Sequence, residues 1–205
     1  MDSSERFNAW SHLVGAVLAL AGTVWLVVVA VSGGDPWKIV SVSVYGTTLV
    51  ALYCVSTLYH SVGGAAKAVL RKLDHLSIYL LIAGSYTPFC LVTLRGPWGW
   101  SLLAVIWALA MVGIGQDLRP RSGPRVLAVI IYAVMGWSVL VAIDPLLEAL
   151  GRSGFFWLAA GGVVYTLGIL SFAIGRHFPF WHGVWHLFVM AGSLLHFFAI
   201  LVFVV

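Results

Sequence analysis

The stretch FNAWSHLVGAVLALAGTVWLVVVAVSGG, residues 7–34, contains no charged side chain and is long enough to cross a bilayer as an α-helix. About 20 apolar residues are needed to span a hydrocarbon core of roughly 30 Å in helical form. Helices are expected because an isolated strand leaves its backbone polar groups unpaired in lipid. Six further charge-free stretches of at least 18 residues follow: 39–66, 75–94, 96–116, 126–143, 153–175 and 177–205.

The composition excludes a soluble domain. Hydrophobic residues make up 61% of the chain, charged residues only 9%, and the mean hydropathy is +1.03. Seven spans occupy most of the 205 residues, so we expect a single all-α domain, residues 1–205, folded as an integral membrane seven-transmembrane helix bundle. The predicted spans are 8–32, 39–61, 74–94, 98–116, 126–143, 154–174 and 182–204.

The positive charges predict the orientation. Eight of the 11 Lys and Arg residues fall in segments that lie inside if the N-terminus is inside, and cytoplasmic segments carry such an excess. The sequence therefore predicts an N-terminus inside and a C-terminus outside. The net charge of +4 needs no nucleic acid to explain it. The inner residues are Arg6, Lys67, Arg71, Lys72, Arg119, Arg121, Arg125 and Arg176, and the outer ones are Lys38, Arg95 and Arg152.

Polar residues at the predicted inner ends of three spans indicate a common site. His182 and His186 are four residues apart, which places them about 40° and 6 Å apart on one helix face. His60 ends the second span and Ser56 lies one turn before it. Asp74 opens the third span. Ionisable residues inside a membrane are costly and mark functional sites, so we expect these side chains to converge.

Three imidazoles favour a zinc site with an open fourth position for water, which is typical of catalytic zinc. In that interpretation, His60, His182 and His186 bind the metal. Asp74 acts as general base or orients a histidine, and Ser56 donates a hydrogen bond to an oxyanion or to the bound water. Imidazole ligands also suit copper, iron and nickel. The alternative is a hydrogen-bonded polar cluster that locks three helices together without metal.

The other polar residues receive lesser roles. His12 is expected to pack or to lie behind the ligands, and packing is favoured. His196 lies about 15 Å deeper than His186 if the helix is regular, so an interhelical hydrogen bond is expected. Acidic residues other than Asp74, including Glu5, are assigned to the tail or the loops. The pair Gly161-Gly162 is expected to permit close helix contact.

Four segments carry a family resemblance: RFNAWSHLVG (6–15), STLYH (56–60), KLDHLSIYLLIAGSYTPF (72–89) and FPFWHGVWHLFVMAGSLLHF (178–197). In these segments the chain resembles the hemolysin III family. That family is the bacterial branch of the progestin and adipoQ receptors, within a superfamily that includes alkaline ceramidases. The resemblance implies a multi-pass protein of the bacterial plasma membrane, with zinc near the cytoplasmic side. It maps the zinc ligands onto His60, His182 and His186, the carboxylate onto Asp74 and the serine onto Ser56.

Three functions remain open. The leading hypothesis is a zinc-dependent hydrolase of a lipid amide or ester, ceramide-like by resemblance, in which zinc-bound hydroxide attacks the carbonyl. Its partners would be membrane lipids and a substrate with an acyl chain. The second is a non-catalytic, zinc-stabilised sensor or receptor-like protein. The third is a hemolysin-type pore-forming protein, against which no predicted span carries a polar stripe suited to a channel.

Overall fold

The computed structural model describes residues 3–119, 123, 125–175 and 180–205, and all regular structure in this part of the chain is helical. Arg121 and Arg176, which contribute to the predicted orientation, lie outside these residues, as do 178–179 of the last motif. The helices are α1 (Ser3–Gly33), α2 (Pro36–Ser61), α3 (Gly64–Pro88), α4 (Pro97–Leu118), α5 (Val126–Trp137), α6 (Ile143–Gly175) and α7 (Phe180–Phe203). A π-helical turn, Phe89–Thr93, continues α3, and a 3₁₀ turn, Ser138–Ala142, joins α5 to α6.

Six helical segments of the described chain are long and apolar enough to cross a membrane. Five are α1, α2, α3 with its π-helical turn, α4 and α7. The sixth, Val126–Ala173, runs through α5 and α6 and contains most of both the fifth and the sixth predicted spans. Within α6, Gly151 has φ 67° and ψ 175°, which interrupts the helical path. The all-helical membrane fold is confirmed.

Two helices begin earlier in the chain than the charge-free stretches predict. α1 begins at Ser3 and α3 begins at Gly64, so Glu5 and Lys67 are helical residues rather than parts of a tail and a loop. Charged residues mark where a helix leaves the hydrocarbon region, whereas the helix itself continues as long as its backbone hydrogen bonds do. Both helices therefore carry charged side chains beyond the apolar stretch.

The helices pack mainly against their neighbours in sequence, and α1 also packs against α7. Large side chains such as Tyr45, Ile106 and Met135 are completely buried between them. Apolar side chains such as Val112 and Val202 are exposed on the outside. Helices that are hydrophobic on all sides suit a lipid environment.

Glycines allow some of these helices to approach closely. A Cβ atom on Gly46 would lie 2.2 Å from Thr23 Cγ2, and one on Gly161 would lie 2.2 Å from His196 Cδ2. A Cβ atom on Gly162 would meet nothing within 4 Å. The close contact expected for the glycine pair is therefore made by Gly161 alone.

Candidate metal centre

The start of α1, the end of α2 and the start of α7 meet at one end of the bundle, where three histidine rings converge. One nitrogen from each of His60, His182 and His186 lies within 4.8 Å of the other two. The Nε2 atoms of His182 and His186 are 3.2 Å apart. The ring centroid of His60 lies 4.9 Å from that of His186 and 5.3 Å from that of His182. His60 and His186 are each only 2% exposed.

The donor atoms of this cluster fit a metal ion. His60 Nε2 is buried and has no hydrogen-bond partner among the described residues. Zinc–nitrogen bonds of about 2.1 Å in a tetrahedron place the donor atoms about 3.4 Å apart. The pair on α7 already has that spacing, and the largest separation of 4.8 Å needs a contraction of about 1.4 Å, which side-chain rotation can supply. Nitrogen donors suit zinc, and also copper, iron and nickel.

A carboxylate on α1 contacts the Nδ1 atom of His60. Glu5 Oε2 lies 2.9 Å from His60 Nδ1, and Lys67 Nζ donates a hydrogen bond to the same oxygen at 3.0 Å. Neither Glu5 nor Lys67 is predicted to be part of the site from the sequence, because charged residues were taken to mark the ends of the helices. The spacing of Glu5, Asn8 and His12, at i, i+3 and i+7 on one helix face, is the signal that could have found Glu5.

Residues of α1 also contact His186. The His12 ring stacks on the His186 ring with centroids 3.6 Å apart and planes inclined by 17°. Ser11 Oγ lies 3.4 Å from His186 Nδ1. His12 is 3% exposed, and its nitrogens have no hydrogen-bond partner among the described residues. His12 thus makes a packing contact directly behind a candidate ligand.

Ser56 on α2 and Asp74 on α3 lie close to each other. Their side chains are near enough to interact. Ser56 is 1% exposed and lies one helical turn before His60 on α2. Asp74 is half-buried and is not among the residues within ligand distance of one another. Asp74 is therefore outside the candidate ligand set, and Ser56 is one turn away from a candidate ligand.

Two cavities lie near the centre. A groove of about 580 Å³ runs along α1, α2 and α7, with lining residues that include Gly15, Tyr53, Met190 and Phe197. Its wall residue Tyr53 contacts the His12 ring edge-to-face, with centroids 5.0 Å apart. A second cavity inside the bundle, with Trp185 in its wall, has a volume of about 110 Å³. The larger apolar space thus reaches the residues immediately behind the histidine cluster.

Comparison with known proteins gives the family. The family described as "Haemolysin-III related" matches residues 2–197. The chain is 43% identical to hemolysin-3 of Bacillus cereus over 201 residues, which cover 98% of this chain and 91% of that protein. It is 39% identical to the hemolysin-3 homolog of Bacillus subtilis (strain 168) over 202 residues, with 98% and 94% covered.

A more distant relative is the human protein named monocyte to macrophage differentiation factor. The chain is 30% identical to it over 200 residues, which cover 94% of this chain and 81% of that protein. Together with the apolar helices, these matches identify a multi-pass bacterial membrane protein. The chain belongs to the haemolysin-III-related family.

Proposed function

We propose that this protein is a zinc-dependent membrane hydrolase that cleaves an amide or ester bond of a lipid. The observation that carries the proposal is the buried Nε2 of His60, which has no hydrogen-bond partner in the described part of the chain and belongs to a ring beside the imidazoles of His182 and His186. A buried polar atom without a partner is costly, and a bound metal ion removes that cost. The other two ligands have the spacing that one ion requires.

The chain's own residues suit the hydrolytic step. A zinc ion held by the three histidines would supply Lewis acidity and activate water for attack at neutral pH. Asp74 would accept a proton from the attacking water and pass it to the leaving amine or alcohol. The water oxygen then forms the new bond to the carbonyl carbon as the C–N or C–O bond breaks. Ser56, whose side chain lies near Asp74, would orient this carboxylate and donate a hydrogen bond to the carbonyl oxygen.

The groove along α1, α2 and α7 would take the acyl chain of the substrate. Its volume is about 580 Å³, against about 110 Å³ for the cavity inside the bundle. Its wall is almost entirely apolar, with Leu18, Trp25 and Leu194 among the lining side chains. A lipid can enter such a groove from the membrane without crossing water.

We also propose that the chain crosses the membrane seven times, with the N-terminus inside and the C-terminus outside. A straight helix over the 48 residues of Val126–Ala173 would be about 72 Å long, more than twice the hydrocarbon thickness. The break at Gly151 supports a division of this segment into two spans. The excess of Lys and Arg in the predicted inner segments supports the orientation.

A second candidate is a metal site that holds the bundle together without turnover, as in a membrane sensor. The observation that favours it is that α1, α2 and α7 all meet at the histidine cluster. A metal there would tie the beginning of the chain to its end.

Metal content and lipid hydrolysis, measured on the same chelator-free preparations, distinguish these functions. We expect about one zinc per chain in the wild type and turnover of a fluorescent ceramide, with both lost in His182→Ala. The variant His196→Gln, which changes a histidine outside the cluster, should retain its zinc. Zinc without turnover of any amide or ester lipid would favour the structural role. Absence of metal from the wild type would contradict the proposal.

A further inference from the structure

The carboxylate of Glu5, in the first two turns of α1, contacts side chains of two other helices. Its Oε2 accepts hydrogen bonds from two sides, from Lys67 Nζ at 3.0 Å and from His60 Nδ1 at 2.9 Å. Glu5, His60 and Lys67 lie on α1, α2 and α3, respectively. The His60 side chain is almost fully buried at this contact, with only 2% of its surface exposed, whereas Glu5 is 30% exposed.

We propose that Glu5, held by Lys67, is the positioning residue that fixes the ring of His60 for metal binding. This inference rests on the proposed metal site and adds α1 to the elements that build it. Glu5 contacts Nδ1 of His60, and Nε2 of the same ring has no hydrogen-bond partner among the described residues. Glu5 therefore acts through His60 and is not itself a ligand.

The hydrogen bond determines which nitrogen of His60 is available. A neutral imidazole carries one N–H, and an Nδ1–H that donates to a carboxylate leaves the lone pair on Nε2. Nε2 is the buried atom without a partner among the described residues. A carboxylate behind a ligating histidine also raises the basicity of the ligand and fixes its orientation.

Lys67 keeps the carboxylate in place. Its ammonium group lies 3.4 Å from the backbone oxygen of Tyr59 and 4.9 Å from the centre of the Tyr59 ring. Tyr59 precedes His60 in α2, so Lys67 links Glu5 to the same turn that carries the ligand. The positive charge also neutralises Glu5, which reduces the tendency of the carboxylate to bind the metal directly.

The test compares Glu5→Ala and Glu5→Gln with the wild type and with Glu148→Gln, which changes an exposed glutamate on α6. Zinc affinity is measured on the full-length protein in detergent by competition with a chromophoric chelator. The visible absorption spectrum of the cobalt-loaded protein reports the geometry of the ligands. The melting temperature of each metal-free variant reports its stability separately.

We expect Glu5→Ala to bind zinc about 10- to 100-fold more weakly and to show an altered cobalt spectrum. Glu5→Gln should lose less affinity, because its amide oxygen can still accept the hydrogen bond from Nδ1. Glu148→Gln should match the wild type.

Wild-type zinc affinity and cobalt spectrum in Glu5→Ala would overturn the inference. A lower melting temperature of both metal-free Glu5 variants with an unchanged cobalt spectrum would also overturn it, because that result indicates a purely structural contact. Neither result affects the proposed metal site, which fails only if the wild type binds no metal. Lipid hydrolysis is not part of this test, so the inference stands or falls independently of turnover.

Discussion

The neighbouring glycines of α6 make a matched pair with opposite expected effects on stability. In Gly161→Ala the new Cβ atom would lie 2.2 Å from His196 Cδ2 and 2.5 Å from Nε2, whereas ordinary contacts begin at 3.4 Å. About 1.2 Å must therefore open between α6 and α7. The His196 ring cannot turn away freely, because its Nε2 is 3.2 Å from the backbone oxygen of Leu158 and the ring packs against Tyr165.

The loss of stability expected for Gly161→Ala is the cost of overpacking, which is typically about 1–3 kcal/mol. For a chain of this size, 1 kcal/mol corresponds to about 2–4 °C in melting temperature. We expect Gly161→Ala to melt about 2–12 °C below the wild type. In Gly162→Ala the methyl group meets nothing within 4 Å, and alanine favours the helix by about 0.5–1 kcal/mol. That variant should melt at the wild-type temperature or up to about 4 °C above it.

The assay is thermal unfolding of the purified proteins in one detergent, followed by the loss of helical circular dichroism. The comparison of the two variants removes effects of detergent and of glycine replacement in general. If Gly161→Ala melted at or above the temperature of Gly162→Ala, the close approach of α6 to α7 at this position would be refuted.

Three further predictions concern the candidate site and the core beneath it. His60→Ala should abolish stoichiometric zinc, measured by mass spectrometry of the metal, because only two imidazoles remain; retention of zinc would exclude His60 as a ligand. Asp74→Asn should retain zinc but lower lipid hydrolysis by about 10²- to 10⁴-fold, since it removes the proposed general base; wild-type turnover would exclude that role. Tyr53→Phe removes the hydrogen bond of 2.9 Å to Ser193 Oγ, worth about 1 kcal/mol. Its melting temperature should fall by about 2–4 °C, and an unchanged value would show that this bond contributes nothing.

The membrane fold could be predicted from the sequence because lipid imposes one simple requirement. Long charge-free stretches in a chain with few charges predict helices, because a helix pairs its backbone N–H and C=O groups within one segment. The charges of Asp144, Glu148 and Arg152 divide residues 126–174 into two predicted spans. Charge spacing does not show at which residue the helical path breaks. In the structure Val126–Ala173 is one apolar segment, and the backbone angles of Gly151 locate the break.

The candidate site was predictable where its residues follow helical spacing and not where they depend on contacts between helices. His182 and His186 share a face by their separation alone, and Ser56 precedes His60 by one turn. The contact of Glu5 with His60 joins residues 55 positions apart. It exists because α1 extends to Ser3 and lies across the end of α2. No local pattern in either helix encodes that crossing, although the spacing of polar residues along α1 hints at a polar face.

The histidine cluster has a consequence for the synthesis of the protein. His60 is on the second helix and its two companions are on the last one, so roughly 120 residues must be added after His60 before the cluster can close. At about 5–20 residues per second, the ribosome needs several seconds or more to make them. During that time the emerging helices pass into the bilayer while the His60 imidazole lacks its two companions. Glu5 has been synthesised before His60, so it can contact this imidazole until the last helix arrives. Any premature stop before the final helix therefore yields a chain that can insert but cannot complete the centre.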